Sequence, residues 1–314
     1  MEHPIIRRTE SHVAGVHGHT LFRRAWLPER PERVLLVVHG YAEHSGRYEP
    51  FGAWFAARGC AVHSYDHQGH GRSTRTRCHV RRFADLLDDL DLVLGRVRSE
   101  HPERPVFLVG HSMGGLAVAA FAADRRPDVA GAVTSGAALA ISEDLSRGRL
   151  WASRVLRWIV PRLAMASSLD ANGLSRDPDV VRAYLDDPLV FRTMTMSFAA
   201  ELMSAVQRTG DRGGEVRVPM LLLHGEADPI CPVDGSRSFH AQLDVAESRL
   251  RSYPGLRHEI FNEPEHENVF ADLLDWVRER EAALRATRAV AGAEERAARP
   301  KAAQRAAGER SRVT

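Results

Sequence analysis

VFLVGHSMGGLAVAAFAA, from Val106 to Ala123, opens as an apolar run and closes as a helix-like stretch of small residues. Between the two stands Gly110-His111-Ser112-Met113-Gly114-Gly115. A turn made only for folding needs glycine at one or two dihedrals that other residues avoid. It does not need a hydroxyl between two glycines. The G-x-S-x-G pattern between a strand and a helix is that of an elbow that presents a serine on a sharp, strained turn. Glycines at 110 and 114 remove side chains where strand and helix come closest. The helix beyond Ser112 offers unpaired N–H groups and the positive end of its dipole to a developing oxyanion. Ser112 is therefore the candidate nucleophile.

Around this turn, apolar runs alternate with helical spacing. Strands are expected over Thr20–Pro28, Arg33–Gly40, Cys60–Asp66, Pro105–Val109, Val129–Gly136, Pro219–Gly225 and Ser248–Gly255. Helices are expected over Tyr48–Arg58, Phe83–His101, Gly114–Asp124 and about Glu265–Arg280. Continuous apolar strands such as RVLLVV are those of a sheet buried on both faces. Strands alternating with helices imply an α/β fold, a mostly parallel central sheet with helices on both faces. Residues 141–214 break the rhythm: they are helical in pattern, show no clear strand, and read as a helical cap inserted over one end of the sheet. The sheet-bearing core is then 1–140 and 215–280. Residues 281–314, rich in Ala, Arg and Glu, read as a fraying helix followed by disorder.

A serine hydroxyl needs a base to take its proton, and the base needs a group to orient it. Downstream, LLLHGEADPI places Asp228 just past the end of an apolar strand. YPGLRHEIF places His258 in the loop after the next one. In open α/β sheets these strand ends are where ligands bind. Ser112, Asp228 and His258 follow the serine–acid–histidine order of α/β-hydrolases. Asp228 would fix the imidazole tautomer and stabilise the imidazolium without taking its proton. The loop His39-Gly40-Tyr41 after LLVV supplies a second oxyanion donor, so the backbone N–H groups of Tyr41 and Met113 form the expected pair, with Gly40 allowing the tight turn.

Composition narrows the function classes. The net charge is +2 over 314 residues, and the tail after Arg280 carries eight Lys or Arg against four Glu. No basic stripe of the kind that marks nucleic-acid binding accompanies it. Cys60, Cys78 and Cys231 are an odd number in a large chain and read as free thiols of a reducing compartment. The N-terminal MEHPIIRRTESHVAG lacks the apolar core of a secretory signal, and no apolar run reaches membrane-spanning length. A cytoplasmic location is expected. His67 and His70 lack acidic partners at ligand spacing, so no metal site is expected, and the chemistry requires no cofactor.

The motifs together resemble the monoacylglycerol lipase family of α/β-hydrolases, which overlaps with bacterial lysophospholipase-like proteins. They are HGYAEHSGRYEPFGAWFAARG, YDHQGHGRS, GHSMGG, LLLHGEADPICP and YPGLRHEIFNEPE, spread from about Thr20 to Arg280. LSRDPDVVRAYLDDPLV, from Leu174 to Val190, resembles the family's cap. The resemblance implies a serine hydrolase that frees the fatty acid of a monoacylglycerol or a related single-chain lipid ester. It carries Ser112, Asp228 and His258 over as nucleophile, acid and base, and Tyr41 and Met113 as oxyanion donors. Arg47, His111 and Tyr184 match positions at the glycerol end of the family's pocket. Arg47 is equally placed to pair with an acid such as Glu43, and Tyr184 to pack within the cap. Asp66, His67, Gly69, His70, Gly71 and Ser73 match a structural segment.

Within the insertion, Leu150, Trp151, Val155, Leu156, Trp158, Ile159, Val160, Leu163 and Met165 interleave with Arg149, Arg154, Arg157 and Arg162. That pattern suits peripheral contact with lipid headgroups, an acyl-chain tunnel, or burial against the sheet. Cys231 is expected near the active site, where a bulky thiol reagent would slow turnover unless the thiol is buried and inert. The rival functions are a lysophospholipase, a general carboxylesterase, a thioesterase, and a pocket-bearing binding protein with little turnover.

Overall fold

The computed structural model describes residues 5–140, 159–167 and 169–310. Its strands, in chain order, are β1 (Ile6–Ala14), β2 (Thr20–Pro28), β3 (Arg33–Val38), β4 (Cys60–Tyr65), β5 (Val106–His111), β6 (Gly131–Ser135), β7 (Ala164–Ala166), β8 (Thr193–Thr195), β9 (Met220–Gly225) and β10 (Arg249–Tyr253). The described α-helices are α1 (Glu49–Ala56), α2 (Phe83–Glu100), α3 (Met113–Arg125), α4 (Pro178–Asp186), α5 (Met196–Gly210), α6 (Val233–Ala241) and α7 (His266–Arg310). The chain separates into two compact units, Met1–Leu274 and Asp275–Thr314. The first carries the sheet and every candidate site residue. The second holds the continuation of α7, a stretch of Ala, Arg and Glu in which strong helix formers dominate.

Eight strands form one sheet in the order β1-β2-β4-β3-β5-β6-β9-β10. The six strands from β4 to β10 run parallel, and β1 and β2 add antiparallel pairs at one edge. This is the α/β-hydrolase arrangement. All six residues of β3, β5 and β9 are buried, because helices cover both faces. Val34, Leu36 and Val38 pack in one apolar cluster with Leu86 and Leu90 of α2, Leu116 of α3, and Phe198 and Leu202 of α5. Leu35 and Val37, pointing the other way, are equally buried. On that face α1 lies so close to Trp26 of β2 that a Cβ at Gly52 would sit 2.2 Å from the indole.

Two features depart from the expectations. β1 is a strand although most of its residues are exposed. It is held by a nine-residue ladder to β2, and its charged side chains blunt the sheet edge. The stretch 141–214, expected to lack strands, contains the antiparallel ribbon β7–β8, whose three-residue strands are too short to show a period. Leu150, Trp151, Val155, Leu156 and Trp158, with Arg149, Arg154 and Arg157, lie outside the described residues. Among the described residues no helix is long and apolar enough to cross a membrane.

Candidate active site

The parallel strands deliver the candidate residues to one end of the sheet. Ser112 follows β5 directly and has φ 53° and ψ −116°, a combination that non-glycine residues rarely adopt. Packing enforces it. A Cβ at Gly110 would lie 2.3 Å from the Gly114 carbonyl oxygen, and one at Gly114 would lie 2.0 Å from that of Val38. The serine N–H bonds to the Ser135 carbonyl at 2.9 Å, and its carbonyl accepts from Leu116 at 3.0 Å. The strain is thus held from both sides while the hydroxyl stands over the strand ends.

Asp228 sits in the loop after β9, its side chain fully buried. Oδ1 accepts the N–H groups of Ile230 at 2.8 Å and Cys231 at 2.9 Å. Oδ2 meets His258 Nδ1 at 2.7 Å and His224 Nε2 at 3.2 Å. Burial pushes this carboxyl up, but His258, His224 and the Cys231 N–H outweigh it and hold the group well below the usual carboxylate range. His258 is 2% exposed. Burial disfavours its charged form, yet Asp228, by charge and by hydrogen bond, raises it above the ordinary histidine value, with Glu259 and Glu43 adding to the effect. A carboxylate can only accept, so His258 Nδ1 carries the proton and Nε2 keeps its lone pair.

Ser112 and His258 line one small cavity with Gly40, Tyr41, Leu174 and Tyr184, with room for about one water. Among the described residues no hydrogen bond yet joins Ser112 to His258. Nucleophile–base contacts are often loose until substrate draws them together. Among the described residues no backbone bond outside the helices and strands takes the Tyr41 N–H, and Met113 opens α3, where N–H groups lack intrahelical partners. The loop that presents Tyr41 turns at Ala42, with φ 67°, rather than at Gly40. Gly40 serves close approach instead: a Cβ there would stand 3.1 Å from the Ser112 Cβ and 2.9 Å from Glu43 Oε1.

Arg47, His111 and Tyr184 gather beside Ser112 and His258. His111 Nδ1 donates to the Ser135 carbonyl at 3.0 Å, and its ring centroid lies 4.8 Å from that of His258. Burial, with His258 next, pushes His111 down to about 3, so it stays neutral. The Arg47 guanidinium stacks 4.9 Å from the Tyr184 ring centre. Its N–H groups go to carboxylates: Glu43 at 3.2 Å and both oxygens of Glu259 at 2.5 and 2.8 Å. Sequence reading named Glu43 as a partner and missed Glu259, although it directly follows His258. It also missed His224, whose Nε2 reaches the Cys231 carbonyl at 2.9 Å and whose Nδ1 meets Ser236 Oγ at 2.7 Å. Cys231 is 6% exposed beside Ser112, and burial together with Asp228 pushes its thiol well above the ordinary range.

The Asp66 segment is structural. Asp66 Oδ1 accepts from Ser45 N–H and Oδ2 from Arg72 N–H, each at 2.7 Å. His44 Nε2, at 2.8 Å from Asp187 Oδ2, ties the loop after β3 to the end of α4. Two groups of metal-ligating types occur among the described residues, His63-Glu100-His101 and His17-Asp85-Asp88. Arg23 already takes both oxygens of Glu100 at 3.0 and 2.9 Å. Arg82 and Arg125 likewise occupy Asp85 and Asp88.

A profile of the serine aminopeptidase S33 family of hydrolases matches residues 29–265. The chain is 36% identical to the monoacylglycerol lipase of Mycolicibacterium smegmatis over 86% of its own length and 97% of the relative's. The chain belongs to the monoacylglycerol lipase family of α/β-hydrolases. The human monoglyceride lipase is 34% identical over 86% of this chain and 91% of the relative. Among solved structures, the monoacylglycerol lipase of Paleococcus ferrophilus superposes with a TM-score of 0.75 at 32% identity, covering 83% of this chain and 99% of that one. Family membership agrees with the serine elbow and with the gathering of Asp228 and His258 at the same end of the sheet.

Proposed function

We propose that this protein is a serine ester hydrolase that frees the fatty acid of monoacylglycerols through an acyl-enzyme on Ser112. The observation that carries the reading is the 2.7 Å contact of His258 Nδ1 with Asp228 Oδ2, beside a serine held on a strained elbow. His258 Nε2 takes the Ser112 proton as Oγ attacks the ester carbonyl. The Tyr41 and Met113 N–H groups receive the oxyanion. The imidazolium, stabilised by Asp228, gives its proton to the departing glycerol oxygen. Water then attacks the acyl-enzyme with His258 again as base, which restores Ser112 and releases the acid. Residues 1–140 and 215–280 serve as the catalytic core, with 141–214 as the cap over it.

The test is active-site labelling. A fluorophosphonate should modify Ser112 alone and abolish ester turnover in proportion. Labelling elsewhere, or none in folded protein, contradicts the reading and favours a binding protein.

One observation favours a second substrate class. A cavity of about 220 Å³ shares Leu169 and Tyr184 with the Ser112 cavity and is lined by Ser167, Asp170, Asn172 and Arg192. Both charge signs line it, which suits the zwitterionic head of a lysophospholipid. Release of acid from lysophosphatidylcholine, reduced in Arg192→Gln, supports that class. Peripheral lipid contact is supported by Ile159, Leu163 and Met165, which are 70%, 50% and 51% exposed around Arg162. Vesicle partitioning that survives Ile159→Asp with Met165→Asp sinks the lipid-contact reading.

A further inference from the structure

Glu259 is buried next to the base, yet no step above uses it. Arg47 grips both its carboxylate oxygens, at 2.5 and 2.8 Å, and Asn262 Nδ2 donates to Oε2 at 2.9 Å. Its backbone N–H bonds to the Leu174 carbonyl at 2.7 Å, and that of His258 bonds to the Gly173 carbonyl at 3.3 Å. Two consecutive backbone bonds therefore fasten the histidine loop to the chain just before α4. From Arg47 the network continues to Glu43 at 3.2 Å. Glu43 Oε1 accepts the Gly40 N–H at 2.5 Å and the Tyr48 hydroxyl at 2.9 Å. A line of charge-assisted bonds thus runs from the residue before one oxyanion donor to the residue after the base. Such bonds are short, directional and roughly twice as strong as neutral ones.

The charge count also bears on the chemistry. Two carboxylates share one guanidinium: burial, opposed by Arg47, pushes the Glu43 carboxyl up, whereas Glu259 is held ionised. The charged and titratable groups around His258 include Asp228 after β9, His111 from β5, Tyr41, Glu43 and Arg47 after β3, and Tyr184 from α4. His111 is neutral, and burial makes both tyrosines acids only at high pH. Burial raises the Glu259 carboxyl, but Arg47 reverses this and brings it down to about 2, so it is ionised wherever the enzyme works.

We propose that Glu259 is a positioning residue for ester hydrolysis: through Arg47 and Glu43 it locks the His258 loop to the oxyanion loop, and its charge favours the imidazolium formed when His258 takes the Ser112 proton. The proposal rests on the serine-hydrolase reading. It gives Arg47 a joining role, since its guanidinium is committed to protein carboxylates rather than to glycerol.

The experiment compares wild type with Glu259→Gln, Glu259→Asp and Arg47→Lys on a short soluble ester. Active enzyme is counted by fluorophosphonate titration, and kcat and kcat/KM are measured across pH. Glu259→Gln keeps the size and loses the charge. It should lower kcat roughly tenfold or more with little change in KM, and move the acid limb of kcat/KM down by about half a pH unit or more. Glu259→Asp and Arg47→Lys keep the charge and disturb the geometry, so kcat should fall while the limb stays. A purely structural residue would change melting temperature and active fraction without moving the limb. Wild-type kcat and limb in Glu259→Gln overturn the proposal. If Glu259→Gln does not fold, an unchanged kcat in Arg47→Lys overturns it instead. Ser112→Ala in the same assay separates the two levels: turnover that survives it overturns the hydrolase reading itself.

Discussion

His224 Nε2 lies 3.2 Å from Asp228 Oδ2, the same oxygen that His258 Nδ1 meets at 2.7 Å. The proposed catalytic acid thus stands between two imidazoles, one to be held for chemistry and one fixed in the core. The second is fully buried and anchored to the Cys231 carbonyl and the Ser236 hydroxyl. Since the carbonyl only accepts, Nε2 carries the hydrogen and serves both oxygens. Replacing His224 by Leu strands two buried polar groups, the Cys231 carbonyl and the Ser236 hydroxyl, each costing about 1–3 kcal/mol when unpaired, and takes one of the two imidazoles from Asp228 Oδ2. We expect a lower denaturation midpoint and a fall in kcat. Ser236→Ala, which disturbs only the outer bond, should cost about 1 kcal/mol and leave kcat near wild type.

Activity should follow the deprotonation of His258. Its folded value is raised above the ordinary 6.5 by Asp228 against the opposing effect of burial. The base is therefore lost to protonation as pH falls through a value above that of a free histidine. The acid limb of kcat/KM should lie above about 6.5. A limb well below that would contradict the geometry around Asp228.

Stability should fall in mild acid. His63, His67 and His111 are pushed down to about 3 and His70 to about 4, and His39 is lowered too, in every case first by burial. These groups stay neutral in the fold while the unfolded chain takes up protons near pH 6.5. The unfolded state then binds more protons, so stability is lost as pH drops from about 7 toward 5. The raised value of His258 acts in the opposite sense: its contribution is full below the unfolded pKa and is lost as pH rises through the folded one. The five neutral histidines outnumber it. Denaturant midpoints should decline steeply over that window, and a flat profile would show the histidines to be solvated.

Two glycines should respond oppositely to the same change. Gly114→Ala drives a Cβ to 2.0 Å from the Val38 carbonyl oxygen, backbone that cannot yield without moving β3. Losses on the order of 3 kcal/mol or more, with loss of activity, are expected. Gly95 lies in the exposed face of α2 with nothing within 4 Å of an added Cβ. Gly95→Ala should stabilise by roughly 0.5–1 kcal/mol. Thermal melts of the two variants decide this.

What could be read before the structure was set by burial. β3, β5 and β9 are covered on both faces, so they appear as unbroken apolar runs, and the loops after them were easy to place. β1 was invisible because an exposed edge strand needs backbone pairing rather than apolar residues. The elbow, Asp228 and His258 were legible because each sits at a strand end. Glu259 and His224 were not, because their roles depend on partners that the fold brings together. Arg47 and Glu259 stand 212 positions apart, and no local pattern announces such a pair. Gly40 was expected to supply the turn, yet Ala42 takes the left-handed conformation while Gly40 gives room to Ser112.

The measurement that bears most directly on the proposed chemistry is fatty-acid release from monooleoylglycerol by wild type and Ser112→Ala, with lysophosphatidylcholine and dioleoylglycerol alongside. Release from the monoacylglycerol that disappears in the folded Ser112→Ala variant is the expected result. Release that survives the substitution, or none from any of the three by folded wild type, would contradict it.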